Sequence, residues 1–427
     1  MKKRGYDLVI IGGGIVGLMT AYYASEFSRN IVVVEKRAVG NRFAASSGFT
    51  RSIRNDYLDP YYACLAGASK LLWQELECES RKTFVVRCGV LNLAKKSVTP
   101  SIAETYAYKS YQILSSLGFE TRYYGSRKKL RQTFPQFNAD IACLDVDAGF
   151  TYIPAIFEFL VNNLREKKIE IFEDTEVTQA AQNGNWLISC KNGLRIYTKN
   201  VAVSVGAWSL EMLSKIQGAQ LLRFPVIPIP QTLDYFSVPE KNKSLYSAQK
   251  MPVFAYLDTG IYGHPLYKDT PGLKVAYFDP NGIKLVKDVF TPQPQKNIGS
   301  NEDFMREILP GITKIECVER EYNWYDMTPD NDFIIDRLPR LTNIYFAGGF
   351  CGTGFKFAPI VGKIMAELVF RKRTVYDTSR FRADRFGSFT NLSVVKSLPM
   401  YTKFFAPRNW KYVATGIGAL VKPKLLP

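Results

Sequence analysis

The run Gly12-Gly13-Gly14-Ile15-Val16-Gly17 lies between an apolar stretch and a series of good helix formers, and it narrows the possible folds more than any other feature. Tyr6-Asp7-Leu8-Val9-Ile10-Ile11 reads as a buried parallel strand, Ile15 to Phe27 as a helix, and Ile31-Val32-Val33-Val34 as a second strand ending at Glu35. That is one βαβ unit. Gly12 makes the turn, Gly14 lets the backbone approach a pyrophosphate, and Gly17 lets helix and strand pack closely. The first helical amides, at Ile15 and Val16, then face the phosphates, while Glu35 is placed to bond ribose hydroxyls, with Lys36 beside it. Lys2-Lys3-Arg4 ahead of the apolar run outlines a secretory leader, but Gly12-Gly13-Gly14 split that run where a nucleotide-binding turn needs them.

Two further apolar strands end in glycine. Val201 to Val205 runs into Gly206-Ala207-Trp208, and Asn343-Ile344-Tyr345-Phe346-Ala347 runs into Gly348-Gly349. Leu164 to Val177 and Trp186 to Cys190 also read as strands, around charged turns. Strand-to-glycine endings at distant points imply one sheet assembled from separate stretches of chain. Between them, 85–148 and 221–324 are rich in aromatic and β-branched residues and in turn signals: Pro225, Pro228, Pro230, Pro271-Gly272 and Asn281-Gly282. The expected fold class is α/β: a Rossmann-like domain made of 1–84, 149–220 and 325–386, with an antiparallel β-rich α+β domain, 85–148 and 221–324, inserted into it twice. Residues 387–427 read as a basic C-terminal extension.

Residue usage removes several chemistries. Seven scattered cysteines without CxxC spacing cannot all pair within one chain, so a reducing compartment and a cytoplasmic location are expected. The one histidine, His264, excludes a multi-histidine metal centre, and no metal site is expected. No stretch approaches the ~18 apolar residues of a membrane span. The net charge of +17 favours anionic ligands or surfaces, and residues 371–427 hold twelve Lys/Arg against Asp377 and Asp384.

Three blocks carry a resemblance: Gly12–Gly17 with Glu35, then Ser46-Ser47-Gly48-Phe49-Thr50-Arg51-Ser52-Ile53-Arg54, then Phe350-Cys351-Gly352-Thr353-Gly354-Phe355-Lys356-Phe357. They are similar to the FAD-dependent amine oxidases of the D-amino-acid-oxidase superfamily, especially the sarcosine oxidase and N-methyltryptophan oxidase branch, over about residues 5–386. The resemblance implies a Rossmann-like FAD-binding domain and an inserted substrate domain. FAD would be held by Gly12, Gly14, Ile15, Val16, Gly17, Glu35 and Lys36, and by Ser46, Ser47, Thr50, Arg51, Val177, Gly349, Gly352, Thr353, Gly354 and Lys356. Small residues in the third block would permit close approach to a planar ring, and amides at a helix start would stabilise negative charge on it.

The implied activity is oxidation of the C–N bond of an amino acid or related carboxylate-bearing amine to an imine, with O2 reduced to H2O2. The amine must be neutral and held against the ring, so positioning does most of the work. Arg54 would grip the substrate carboxylate as a fork and Lys356 as a point charge. Tyr262 and Tyr325 would cover the substrate, and Thr353 would stand where the branch has a histidine. Lys274 aligns with a lysine that promotes reaction with oxygen, a step that a fixed ammonium favours because it stabilises superoxide. His264 is expected to be structural.

The departures change the expectation. This branch commonly tethers flavin to a cysteine ten residues before the Phe of Phe333-Ile334-Ile335-Asp336; that position is Asn323, so non-covalent FAD is expected. Cys317 is six residues too early, and Cys351 leaves an alternative linkage open. Phe278 replaces a second histidine, which makes the cavity more apolar and points to a larger cyclic or aromatic amino acid. The alternative activity is a dehydrogenase of a hydroxy acid or amine that passes electrons to a quinone or carrier protein. The extension mixes Tyr401, Phe404, Phe405, Trp410 and Tyr412 with Lys396, Lys403, Arg408, Lys411, Lys422 and Lys424. It suits an anionic membrane surface, a protein partner or packing on the protein's own body; no nucleic-acid partner is expected.

Overall fold

The computed structural model describes residues 5–219, 226–277, 298–328 and 330–386. Phe278, Pro225, Asn281-Gly282 and the extension 387–427 lie outside them. The chain opens with strand β1 (Gly5–Ile11), helix α1 (Ile15–Ala24) and strand β2 (Ile31–Val34), paired in parallel. Parallel strands Glu170–Phe172, β2, β1, Arg195–Val203 and Ile344–Gly348 form the centre of the first sheet. Arg195–Val203 also pairs antiparallel with Asn185–Cys190, and Ile334–Arg337 pairs antiparallel with Ile344–Gly348.

Alternation along β1 explains why this sheet is buried on both faces. Leu8 and Ile10 pack with α1 and the helix Gly354–Val369, while Val9 and Ile11 pack on the other side with Val201, Val203, Ile344 and Phe346. A strand covered on both faces reads as a continuous apolar run, as 8–11 does.

The second large sheet runs Cys317–Met327, Ile227–Phe236, Leu273–Tyr277, Ile261–His264, Val253–Tyr256, Val90–Ala94, Ile141–Asp145 and Thr121–Tyr124. Its pairs are antiparallel except for Val253–Tyr256 against Val90–Ala94, which is parallel. A small third sheet joins strand β3 (Thr50–Ile53) to Gly149–Tyr152 and Val85–Val86.

Several local expectations are corrected. Leu164 lies in the last turn of the helix Ile153–Glu166 rather than starting a strand; the strand there is only Glu170–Phe172, and Val177 begins the next one. Ile156, Leu160 and Leu164, four residues apart, form the buried face of that helix, a helical period. Helix α1 stops at Ala24 rather than Phe27, and the last long helix starts at Gly354 rather than Ile360. Pro228 and Pro230 are not turns. They sit in Ile227–Phe236 where that strand pairs, among the described residues, only with Cys317–Met327, so a missing donor is tolerated.

Candidate active site

Gly12, Glu35, Ser204 and Gly349 each follow a parallel strand of the first sheet, at the edge where ligands of open α/β sheets bind. A cleft of about 440 Å³ includes Gly12, Glu35 and Ser204 at that edge and Tyr262, Lys274 and Tyr325 from the second sheet.

At the sheet edge, φ of +110° at Gly12 makes the turn, and a Cβ there would lie 2.4 Å from the Ser204 carbonyl oxygen. A Cβ at Gly17 would lie 1.9 Å from the Gly12 carbonyl oxygen, so the helix passes over the turn only because both are glycine. Gly14 is different: a Cβ there would meet only Ser46 Oγ, at 3.4 Å, and the residue lines the cleft. Ser46 Oγ accepts the Ile15 N–H at 3.1 Å. Glu35 accepts N–H bonds from Gly13 (2.7 Å) and Arg37 (3.0 Å), while burial raises its pKa and the Gly13 bond opposes that rise. Lys36 lines the cleft but is ion-paired to Glu176 at 3.0 Å.

The opposite end is built by three strands. Register places Lys274 opposite His264, and Tyr262 two residues before His264 on the same face. The hydroxyls of Tyr262 and Tyr325 are 3.1 Å apart. Lys274 is 1% exposed and donates to the Thr50 carbonyl at 2.9 Å; burial and then Arg51 push its pKa well below the usual lysine range, with Glu321 opposing. His264 bonds Ser52 Oγ through Nε2 and Thr50 Oγ1 through Nδ1, each at 2.8 Å. Burial, then Lys274 and Arg51, depress its pKa well below normal, so the ring is neutral and braces β3. Arg51 donates to the carbonyls of Thr50, Ala45 and Ser47, which ties down the loop before β3.

Arg54 and Lys356 approach the same tyrosine ring. The Arg54 guanidinium carbon is 4.8 Å and Lys356 Nζ 5.6 Å from the Tyr57 ring centroid. Lys356 is 6% exposed, and its Nζ has one long bond, 3.5 Å to the Thr353 carbonyl. Burial and then Arg54 lower its pKa well below normal, and Asp56 opposes this. Its backbone carbonyl accepts Ser69 Oγ (2.7 Å) and Trp73 Nε1 (3.0 Å) from helix α2 (Pro60–Ser80), which holds the helix start in place. Gly352, at φ +73°, leaves room for the Tyr325 ring, which a Cβ would meet at 2.7 Å.

Of the residues singled out in the sequence, Gly12, Gly14, Ile15, Val16, Glu35, Lys36, Ser46, Arg51, Arg54, Val177, Tyr262, Lys274, Tyr325, Gly352, Thr353, Gly354 and Lys356 line the one cleft. Gly17, Ser47, Thr50 and Gly349 stand behind its wall. Ser47 is buried near Asn323, Thr50 is fully buried beneath His264 and Lys274, and Gly349 turns the chain while donating its N–H to Asp326. Tyr57, Ser204 and Tyr106 also line the cleft. Tyr57 could have been found three residues after Arg54; Tyr106 comes from a distant helix start that no local signal links to the site.

Buried polar atoms test whether a dinucleotide fits. Ser204 Oγ and Asn323 Nδ2 lack a hydrogen-bond partner among the described residues, and both residues line the cleft. An apolar ligand would leave these groups unsatisfied, whereas a polar flavin dinucleotide and its substrate present acceptors and donors along the same path. Cys351 lines the cleft, but its Sγ lies against Thr328 Oγ1 (3.3 Å) and the Gly349 carbonyl (3.2 Å), and burial pushes its thiol up to about 12. It is not a ready thiolate.

Residues 7–368 match the DAO family, described as FAD dependent oxidoreductase. The chain is 28% identical over 400 residues to the peroxisomal sarcosine oxidase of Homo sapiens, covering 91% of this chain and 98% of that one. It is 26% identical to the N-methyl-L-tryptophan oxidase of Salmonella arizonae, covering 90% and 99%. In fold it resembles the L-proline dehydrogenase of P. horikoshii, with a TM-score of 0.75 at 20% identity over 90% of this chain and 98% of that one. The chain belongs to the DAO family of FAD-dependent oxidoreductases.

Proposed function

We propose that the protein oxidises the C–N bond of an amino acid, or a related primary or secondary amine bearing a carboxylate, to the imine, and that O2 is reduced to H2O2. The observation that carries this reading is the pair of cations, Arg54 and Lys356, that both approach the Tyr57 ring in the cleft that also holds Tyr262, Tyr325 and Lys274. FAD, when bound, supplies the two-electron acceptor. Gly12, Gly14, Ile15, Val16, Glu35 and Ser204 would hold its dinucleotide portion, and Gly352, Thr353, Gly354 and Asn323 would border its ring.

Arg54 and Lys356 bind the carboxylate, which sets the adjacent C–H toward the ring, and Tyr262 and Tyr325 close over the substrate and exclude water. Lys274 supplies positive charge where oxygen is reduced. The reaction balances as amine plus O2 giving imine plus H2O2. Lys274 favours the oxidase over a dehydrogenase that uses a quinone or carrier protein. With Asn323 at the tethering position and the Cys351 thiol protonated, the flavin is held without a covalent bond, and acid precipitation leaves it in the supernatant.

An amine and amino-acid panel, read by anaerobic bleaching of the flavin and then by peroxide release on adding air, tests the reading. Bleaching by carboxylate-bearing amines, but not by their amides, is expected. A colourless protein that takes up no FAD, or bleaching by hydroxy acids alone, overturns it.

A further inference from the structure

Behind the Arg54–Lys356 pair lies a carboxylate that never reaches the cleft. Asp56 is fully buried and is absent from the cleft wall. Its Oδ1 accepts Arg54 Nη1 at 2.7 Å, and its backbone carbonyl accepts the same Nη1 at 2.9 Å. Asn92 donates its amide to the other carboxylate oxygen, and the Tyr106 hydroxyl donates to the Asp56 carbonyl. One guanidinium nitrogen is thereby committed. Arg54 Nε and Nη2 have no hydrogen-bond partner among the described residues, and the side chain keeps 15% exposure where it lines the cleft.

We propose that Asp56 is a positioning residue: a buried counter-ion that holds Arg54 by one arm and leaves its Nε–Nη2 edge, beside Lys356, to take a ligand's carboxylate. The proposal rests on the reading that these two cations bind that carboxylate. A guanidinium free to rotate would lose rotamer entropy on each binding event, and anchoring Nη1 removes that cost beforehand. Asp56 also acts on the second cation. Burial and Arg54 both drive the Lys356 proton off, and Asp56 is the charge that opposes them.

The charged and titratable groups around this cluster are few. Tyr57 lies on the same loop, and Tyr106 faces Arg54 and Asp56 from the start of its helix. Cys143 and Asp145 face Asp56 from the strand Ile141–Asp145. Lys70 faces Asp145 from α2, and Asp258 faces Tyr106. Burial, then repulsion by Asp56, pushes Asp145 up to about 6.

The test uses the FAD-loaded full chain and calorimetric titration of benzoate, with benzamide as the uncharged isostere, between pH 6 and 10. Wild type should prefer benzoate, and the preference should weaken as Lys356 deprotonates while Arg54 stays charged. Asp56→Asn keeps an oxygen for Arg54 Nη1, and Asn92, whose Oδ1 is unpartnered among the described residues, can flip to accept the new amide. That variant should bind benzoate about tenfold more weakly along the limb where binding falls with rising pH, which moves about one pH unit toward acid, and benzamide should bind unchanged. Asp56→Ala should move the limb in the same direction, which guards against a peculiarity of the asparagine. An unmoved limb in both variants, or equal weakening for benzoate and benzamide, overturns the role of Asp56 and leaves the carboxylate reading standing. No preference for benzoate in the wild type overturns both.

Discussion

Lys274 is a buried amine whose one hydrogen-bond partner among the described residues is the Thr50 carbonyl, 2.9 Å away. An apolar-flanked lysine in that position is costly, because burial and the Arg51 guanidinium both disfavour its charge. A group held at that cost is expected to act when negative charge develops beside it. Lys274→Met keeps the volume and removes the amine. Stopped-flow mixing of the reduced protein with O2 should then show reoxidation slowed about a hundredfold, the scale of losing one preorganised electrostatic donor, with anaerobic reduction by substrate changed far less. The pH dependence has a definite sign: the wild-type reoxidation rate falls as pH rises through the lowered lysine pKa, and the variant should lose that fall. Equal slowing of both half-reactions would remove Lys274 from the oxygen step.

At the scale of elements, the glycine-rich connections work because strands on either side supply their partners. Asp326, in the strand Cys317–Met327, accepts the Gly349 N–H at 2.7 Å, and its own carbonyl accepts the Cys351 N–H at 3.0 Å, so one strand end holds the turn at 349–352. Cys351 itself adopts a positive φ of 51°, a strained conformation for a non-glycine residue that this pairing sustains. Burial pushes Asp326 up to about 6 even though backbone N–H groups oppose the shift. Because the folded-state pKa lies above the unfolded one, the folded chain holds the extra proton between about pH 4 and 6. Stability therefore falls as pH rises across that window and levels off above it. Asp145, also raised to about 6, contributes in the same sense. Asp326→Asn retains an acceptor for Gly349 and should gain on wild type by about 2 kcal/mol from pH 4 to pH 7, measured by denaturant unfolding at fixed pH. A constant difference across that range would assign no proton to Asp326.

For the whole molecule, what the sequence made legible follows contact distance. The turn at Gly12–Gly17 and its flanking strands are decided by neighbours, and the two cations sit in blocks whose composition is itself unusual. Asp56 and Tyr106 escaped because their bond joins positions 50 apart, and the end of the helix Ile153–Glu166 was lost because a short apolar stretch fits either period.

The end of the described chain makes the same point about distance. Arg380 bonds Asp59 at the start of α2 (2.7 Å) and Asp332 (2.9 Å), and it also lines the cleft; Arg385 bonds Asp330 at 2.8 Å. Phe381 is fully buried and Phe386 nearly so. Residues 378–386 thus lock the strand Ile334–Arg337 and α2 together, whereas 387–427 add six basic residues and no acid. A chain ending at Phe386 should keep its FAD and its melting temperature, and any flotation of the full chain on anionic vesicles should be lost with the extension. A chain ending at Asp377 removes Arg380 from Asp59 and from Asp332, which is 5% exposed, and should lose about 3–5 kcal/mol. Thermal unfolding of the two truncations separates the cases: equal melting temperatures would mean that the lock carries no stability, and an equal loss from both would place the extension inside the fold.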